Sequence, residues 1–300
     1  MIEQALLKHL SAQTDLTDFL AIYADEPAIF SQEAPADNDA NWEPGPQYGR
    51  VVFSVDIQGD PARTMGGLLA VDILCKKDED TPGYPEDIEP IIRKLIHGYF
   101  FSSGTFTVAA QWKNSALFTE ADEQVTGCTV TFDLLAFPVL TTNGLNAIAR
   151  LNEWSSQIDG LYVINHDEMP STAWKPGPGE SAVYWRCLHV GPAARIRDRY
   201  ATIWRTATIK GHIFSEDLAT ATDVAEDIIF RLYSGKRLMK PGESPIMVDD
   251  RNTLDNGADP LKTGQVTIEA TYGINRYQKT SETINHILKE ERSSSNGEQH

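Results

Sequence analysis

Apolar positions along this chain follow two periods, and the switches between them mark its elements. Leu6, Leu7, Leu10, Leu16 and Leu20 predict an opening helix over 3–20, broken into two short pieces across 11–15. A proline-rich stretch, 25–48, then reads as a long loop. Period two takes over at 50–57, where Val51, Phe53, Val55 and Ile57 share a face, and at 68–75, where Leu69, Val71, Ile73 and Cys75 alternate with Leu68, Ala70, Asp72 and Leu74. One apolar and one wetter face suit a sheet covered on one side by helices. Helical spacing returns at Ile88, Ile91, Ile92, Leu95 and Ile96, with Gly98 as a stop and Pro90 tolerable in a first turn, where amide hydrogens lack partners. Two more strands are predicted at 105–112 and 125–137, with Ser102-Ser103-Gly104 linking helix to strand.

The same order then recurs. A helix over 141–158 carries Leu145, Ile148, Leu151 and Trp154 on one stripe, and a shorter loop covers 161–178. Strands follow at 182–190 and 200–214, then a helix marked by Leu218, Ala221, Ala225, Ile228, Ile229 and Leu232, then strands at 245–248 and 265–272. A last short helix is expected at 281–291, and 292–300, without an apolar residue, is expected to be disordered.

The recurrence extends to residues. Trp42-Glu43-Pro44-Gly45-Pro46 precedes the first strand and Trp174-Lys175-Pro176-Gly177-Pro178 its counterpart, 132 positions later (174 minus 42). Ile91-Ile92-Arg93-Lys94-Leu95 with Gly98 matches Ile228-Ile229-Phe230-Arg231-Leu232 with Gly235, and Val130-Thr131-Phe132-Asp133 matches Val266-Thr267-Ile268-Glu269. A single fold of roughly 130 residues used twice accounts for this. The expected fold class is α+β: two tandem related domains, each a mostly antiparallel sheet with helices on one face. The expected divisions are 1–139, 140–278 and a terminal segment, 279–300.

Three hundred residues, 41% hydrophobic, supply two cores of ordinary size. The net charge of -17 is uneven: residues 1–139 hold 22 acids and 8 bases, leaving 21 acids and 18 bases in 140–300. A groove gripping phosphates would carry the opposite sign, whereas an acidic wall would let DNA slide past. No basic-then-apolar leader and no apolar run of about 20 residues occurs, so synthesis in the cytosol without membrane insertion is expected. Cys75, Cys128 and Cys187, odd in number and widely spaced, are expected to be reduced, buried thiols.

Candidate chemistry is sparse. Gly66-Gly67 precedes a strand, where a phosphate loop would follow one, and no nucleophile-elbow or zinc-protease pattern is present. Cys187, His189 and His212, on neighbouring predicted strands, are a conceivable metal set, with ordinary sheet residues the better account. Asp78, Glu79, Asp80, Glu86, Asp87 and Glu89 cluster, as do Asp249, Asp250, Asp255 and Asp259, both without calcium-loop spacing. Arg195, Arg197, Arg199 and Arg205 gather around a predicted hairpin tip, either as a solvated turn or as a contact for an acidic surface. Trp42 and Trp174 either pin their loops to their own domains or dock on a neighbouring subunit. The sequence therefore predicts no catalytic, cofactor-binding or metal-binding residue, and favours surface recognition over turnover.

Each half resembles the phage tail terminator and tail-completion family, the head–tail joining proteins of long-tailed bacteriophages. The resemblance lies in Met1-Ile2-Glu3-Gln4-Ala5-Leu6-Leu7-Lys8-His9-Leu10 followed by Leu16-Thr17-Asp18-Phe19-Leu20, then Arg50-Val51-Val52-Phe53, the strand 69–74, the helix 88–96 and Thr129-Val130-Thr131-Phe132-Asp133-Leu134. It covers most of 1–139 and, through the internal repeat, 141–274. It implies a non-catalytic ring subunit without a cofactor that caps the tail tube and provides the head-attachment surface. Implied partners are further copies of the chain (a trimer or hexamer), the tail tube protein, a head completion or connector protein, and DNA passing through the channel without specific binding. The implied location is the virion tail or neck, assembled in the host cytoplasm. Two other classes compete: a cytosolic ligand-binding module with an interdomain cleft, and a metal-dependent enzyme using an acidic cluster.

Overall fold

The structure, a computed structural model, describes residues 2–42, 47–58, 65–76, 83–103, 106–119, 124–138, 147–165, 169, 173–194, 196, 202–235, 237–238, 245–249, 252–255 and 263–275. The opening helix is indeed two pieces, α1 (Ile2–Ser11) and α2 (Thr14–Thr17). Leu6, Leu10, Leu16 and Leu20 are buried, whereas Leu7 is exposed. Then come β1 (Ile22–Tyr23), β2 (Glu26–Pro27), β3 (Ile29–Ser31), β4 (Arg50–Ile57), β5 (Met65–Lys76), α3 (Pro85–Ile96), β6 (Phe100–Ser103), β7 (Phe106–Thr119) and β8 (Val125–Pro138). The sheet runs β3-β4-β5-β8-β7-β6, antiparallel except for β3, which lies parallel to β4. Val51, Phe53, Leu69, Val71, Ile73, Val130 and Phe132 form a core with Leu6 and Leu10 of α1 and Ile88, Ile92 and Ile96 of α3.

Helix α3 starts earlier than its apolar spacing implies. Pro85 takes the first position and the Asp87 carboxylate accepts the Tyr84 N–H at 3.1 Å. Pro90 consequently lies in the second turn, which forgoes one ladder hydrogen bond, and burial of Ile88, Ile92 and Ile96 offsets that loss. Gly98, at φ +79, ends the helix by adopting the left-handed conformation.

The second half comprises α4 (Ala147–Ser155), β9 (Leu161–Val163), β10 (Ser181–Pro192), β11 (Thr202–Ser215), α5 (Leu218–Gly235), β12 (Arg237–Leu238), β13 (Ile246–Val248), β14 (Thr253–Leu254) and β15 (Val266–Asn275). Its sheet runs β12-β13-β15-β11-β10-β9, with β14 beside β15 and only β9 parallel to its neighbour. Read from β9, this is the first sheet again. β9, β10, β11, β15, β13 and β12 take the places of β3, β4, β5, β8, β7 and β6, while α4 and α5 take those of α1 and α3. The chain is thus two tandem α+β units.

Strand register refines the match. The cross-strand row Phe53–Val71–Val130 corresponds to Trp185–Gly211–Val266. The offsets are 132 on the first strand (185 minus 53), 140 on the second (211 minus 71) and 136 on the third (266 minus 130). Burial aligns Ile92 and Ile96 with Ile228 and Leu232, one residue away from the match by residue type.

Several expectations change. The stretch 25–48 contains β2 and β3. Ser102 and Ser103 belong to β6, and β7 continues to Thr119. The division at 139/140 falls between β8 and α4, but residues 139–146, the helix expected at 281–291 and the tail beyond it lie outside the described residues. Among the described residues, no helix is long and apolar enough to cross a membrane.

Candidate functional site

Each sheet has one face under helices, and the two helix-free faces meet. Phe100, Ala109, Leu135 and Phe137 of the first sheet pack with Ile164, Ala182, Tyr184 and Phe214 of the second half. Their chain neighbours Phe101, Val108, Leu134, Val183, Trp185 and Ile213 point the other way, into the core of their own half. The sequence signal for this is a pair of apolar runs without alternation, Leu134-Leu135-Ala136-Phe137 and Ala182-Val183-Tyr184-Trp185, the mark of strands buried on both faces. Ring centroids lie 4.9 Å apart for Phe137–Tyr184, 5.3 Å for Phe137–Phe214 and 4.8 Å for Phe100–Phe214, all edge to face. Such pairs add about 0.5–1.5 kcal/mol each beyond burial. Burial pushes the Tyr184 phenol up to about 12 against the opposing charge of Arg186.

The second half also closes an edge of the first sheet. Trp174 forms an antiparallel bridge with Phe100 on the outer strand β6: its N–H donates to the Phe100 carbonyl at 3.0 Å and its carbonyl accepts the Phe100 N–H at 2.6 Å. The Trp174 ring rests on Phe100 and Tyr162. A strand edge open to any passing chain is thereby occupied.

Trp42 behaves differently. It sits with Tyr23 and Phe30 in a small cluster of its own half, and its indole N–H donates to the Ala36 carbonyl at 3.0 Å. The Arg50 guanidinium lies between the rings of Trp42 and Tyr48, at 4.4 and 4.2 Å, and pairs with Asp37 at 2.7 Å. Burial works to raise the Asp37 carboxyl, yet hydrogen bonds from Arg50 and Tyr48 hold it below its usual range. So Trp42 pins its loop to its own half, while Trp174 reaches the other half of the same chain. The sequence sign of this Arg50 sandwich is an arginine opening a strand just after a Trp- and Tyr-bearing loop.

A cleft of about 270 Å³ lies between the halves, bordered by His97, Gln111, Lys175, Glu216 and Asp217. His97 Nδ1 accepts the Trp112 N–H at 3.0 Å; burial, then the charges of Lys175 and Arg93, lower its pKa. His9 Nε2 donates to the Leu95 carbonyl at 2.8 Å, and burial lowers it too. Both histidines titrate below 6.5 when folded, so the unfolded chain takes up more protons as pH falls through 6.5. Stability should therefore decline from that pH downward until the folded values are passed. Urea midpoints measured across this range should show a shallower acid decline for His97→Asn and for His9→Asn. An unchanged slope in both variants would contradict the assignment.

The structure separates the conceivable metal set. A register irregularity between Cys187 and His189 puts Cys187 opposite Ile209, toward the helices, and His189 opposite Thr208, on the other face. His212 shares the face of His189 but lies four residues along β11 from Thr208, about 13 Å at strand spacing. Among the described residues, no group of three or more His, Cys, Asp or Glu side chains could hold a metal ion. Glu89 instead accepts the Ser115 hydroxyl at 2.6 Å and faces Arg93 at 3.7 Å, while Asp87 accepts the Tyr84 N–H at the start of α3. Asp78, Glu79, Asp80, Asp250, Asp259, Arg195, Arg197 and Arg199 lie outside the described residues. Asp255 follows β14, and Arg205 on β11 donates to the Trp204 carbonyl. Cys75 and Cys128 are buried free thiols; Cys187 is free and half-buried.

A second concavity, about 440 Å³, opens on the helix-free face of the second sheet, where Met247, Thr271, Glu269, Thr206, Thr208 and His189 line it. No protein-family model, no curated protein and no solved structure matches this chain.

Proposed function

We propose that this chain is a structural, non-catalytic subunit of a ring in a phage tail or neck, capping the tail tube and presenting the head-attachment surface. One observation carries the reading: two units of one topology touch through different surfaces, the β6–β8 side of the first against the β9–β11 side of the second. A contact between unlike surfaces of like units is heterologous, and repeating it closes a ring when its rotation divides a full turn. Fusing two units in one chain makes half of those contacts intramolecular and lowers the cost of association. Three copies would give a six-unit ring, six a larger collar. The acidic first half suits a channel wall along which DNA slides. The proposed partners are the tube protein on one side and a head completion or connector protein on the other, in the virion.

The test is sedimentation and imaging of the protein alone and with polymerising tube protein. A closed ring with an axial hole, seated at tube ends and halting their growth, is expected. A chain that stays monomeric in both settings and leaves tube length unchanged would end the reading. The cleft of about 270 Å³ between the halves favours a second reading, a two-domain ligand-binding module, which predicts a monomer or dimer with one site there.

A further inference from the structure

The contact between the halves has a pseudo-equivalent surface elsewhere on the molecule. In the first sheet, Phe100 stands opposite Ala109 and Ala109 opposite Leu135, one row across three strands that the second half covers. The same row in the second sheet is Arg237, Met247 and Thr271. Phe137, two residues beyond Leu135, corresponds to Gly273, two beyond Thr271. The groove of about 440 Å³ is bordered by Met247 and Thr271 of this row. Two bulky apolar groups of the covered surface, Leu135 and Phe137, are thus replaced by Thr271 and Gly273.

The opposing surface has a counterpart as well. Ala182, Tyr184 and Phe214, which the second half contributes to the contact, correspond by register to Arg50, Val52 and Leu74 on β4 and β5. Val52 and Leu74 are half-buried, whereas Arg50 is buried beneath Trp42 and Tyr48 of its own half.

We propose that the Met247–Thr271 groove receives the first half of a second copy of this chain, through its β4–β5 face, as a polar repeat of the aromatic contact inside each chain. The difference in chemistry follows from the difference in timing. The intrachain surface is covered as the chain folds, so four aromatic rings can meet there without exposure to water. A surface that waits for another copy must stay wettable, and Arg237, Thr271, Glu269 and Thr206 keep it so. Charge favours the same order. Head-to-tail contact sets the first half, 22 acids to 8 bases, against the second, 21 acids to 18 bases, and never two first halves together. The inference rests on the ring reading for closure, while the contact itself rests on register alone.

Two variants test it in the full-length chain. Met247→Arg should weaken association at least tenfold in sedimentation while leaving the far-ultraviolet spectrum and melting of the monomer unchanged. In a Cys187→Ala background, the pair Val52→Cys with Thr271→Cys should give a ladder of covalent multimers under a short thiol crosslinker. Thr271→Cys alone should give none. Cys75 and Cys128, being buried, do not compete. Should Met247→Arg prove unstable, the ladder decides. Assembly that survives Met247→Arg, or crosslinking through Thr271→Cys alone, overturns this contact and leaves the ring reading standing. A wild-type chain monomeric at every concentration and with the tube overturns both.

Discussion

Gly211→Val should destabilise the chain by about 3 kcal/mol, and combining it with Trp185→Phe should cost about 2 kcal/mol less than the two separate losses summed. A β-carbon at Gly211 would lie 2.5 Å from Cζ3 and 3.0 Å from Cε3 of Trp185, a side chain without freedom to yield because it is fully buried. Overpacking of this kind costs about 1–3 kcal/mol, toward the upper end where the neighbour is a rigid ring. Trp185→Phe alone should cost about 2–3 kcal/mol, from the lost ring area and from the indole N–H that donates to Ser155 Oγ at 2.9 Å, tying β10 to α4. The double variant recreates in the second half the pair that the first half uses at the same place, Phe53 opposite Val71. Denaturant titration of the four proteins should therefore give a coupling energy of about 2 kcal/mol in favour of the pair. Additive losses would show that the two residues do not share one space.

Phe137→Ala should have the other large effect, and of a different kind. Phe137 is fully buried between sheets, touching Phe100, Tyr184 and Phe214. Its truncation should cost about 3–5 kcal/mol. Because each half keeps its own helix-covered core, the loss falls on the joint. Calorimetry should show one unfolding transition for the wild type and two for Phe137→Ala, whereas Trp185→Phe should only shift the single transition. A lone, lowered transition for Phe137→Ala would mean that the halves fold as one core.

What was legible in the chain was what repeats over enough residues to show a period. Strand β4 was read at its true bounds, and the interiors of β5, β8 and α5 were identified because a half-buried strand or helix writes its burial in alternate or every-third-or-fourth positions. Strands β3, β6, β12 and β14 were missed, since two to four residues hold less than two periods. Pro90 lies a turn deeper than the apolar stripe implies, because the stripe begins at Ile88 while the helix begins at Pro85. The candidate site was legible only in part. Trp42 and Trp174 stood out by composition, but where each would rest depends on loops whose partners are far apart in sequence. The doubly apolar runs at 134–137 and 182–185 carry the sign of strands covered on both faces, which the one-sided pattern of 50–57 and 68–75 does not show. The separation of Cys187 from His189 turned on a single register slip, which inverts the facing of everything after it.

The mismatch between the two central pairs has a consequence for how the chain reaches its fold. Tandem units of identical topology invite exchange, one unit's strand pairing with the neighbour strand of its twin as the nascent polypeptide collapses. Here such a trade is penalised in both directions: Val71 set against Trp185 would clash, and Gly211 set against Phe53 would leave a hole. A ring and a glycine thus act as a sorting key, matching each strand to the partner that follows it in its own unit.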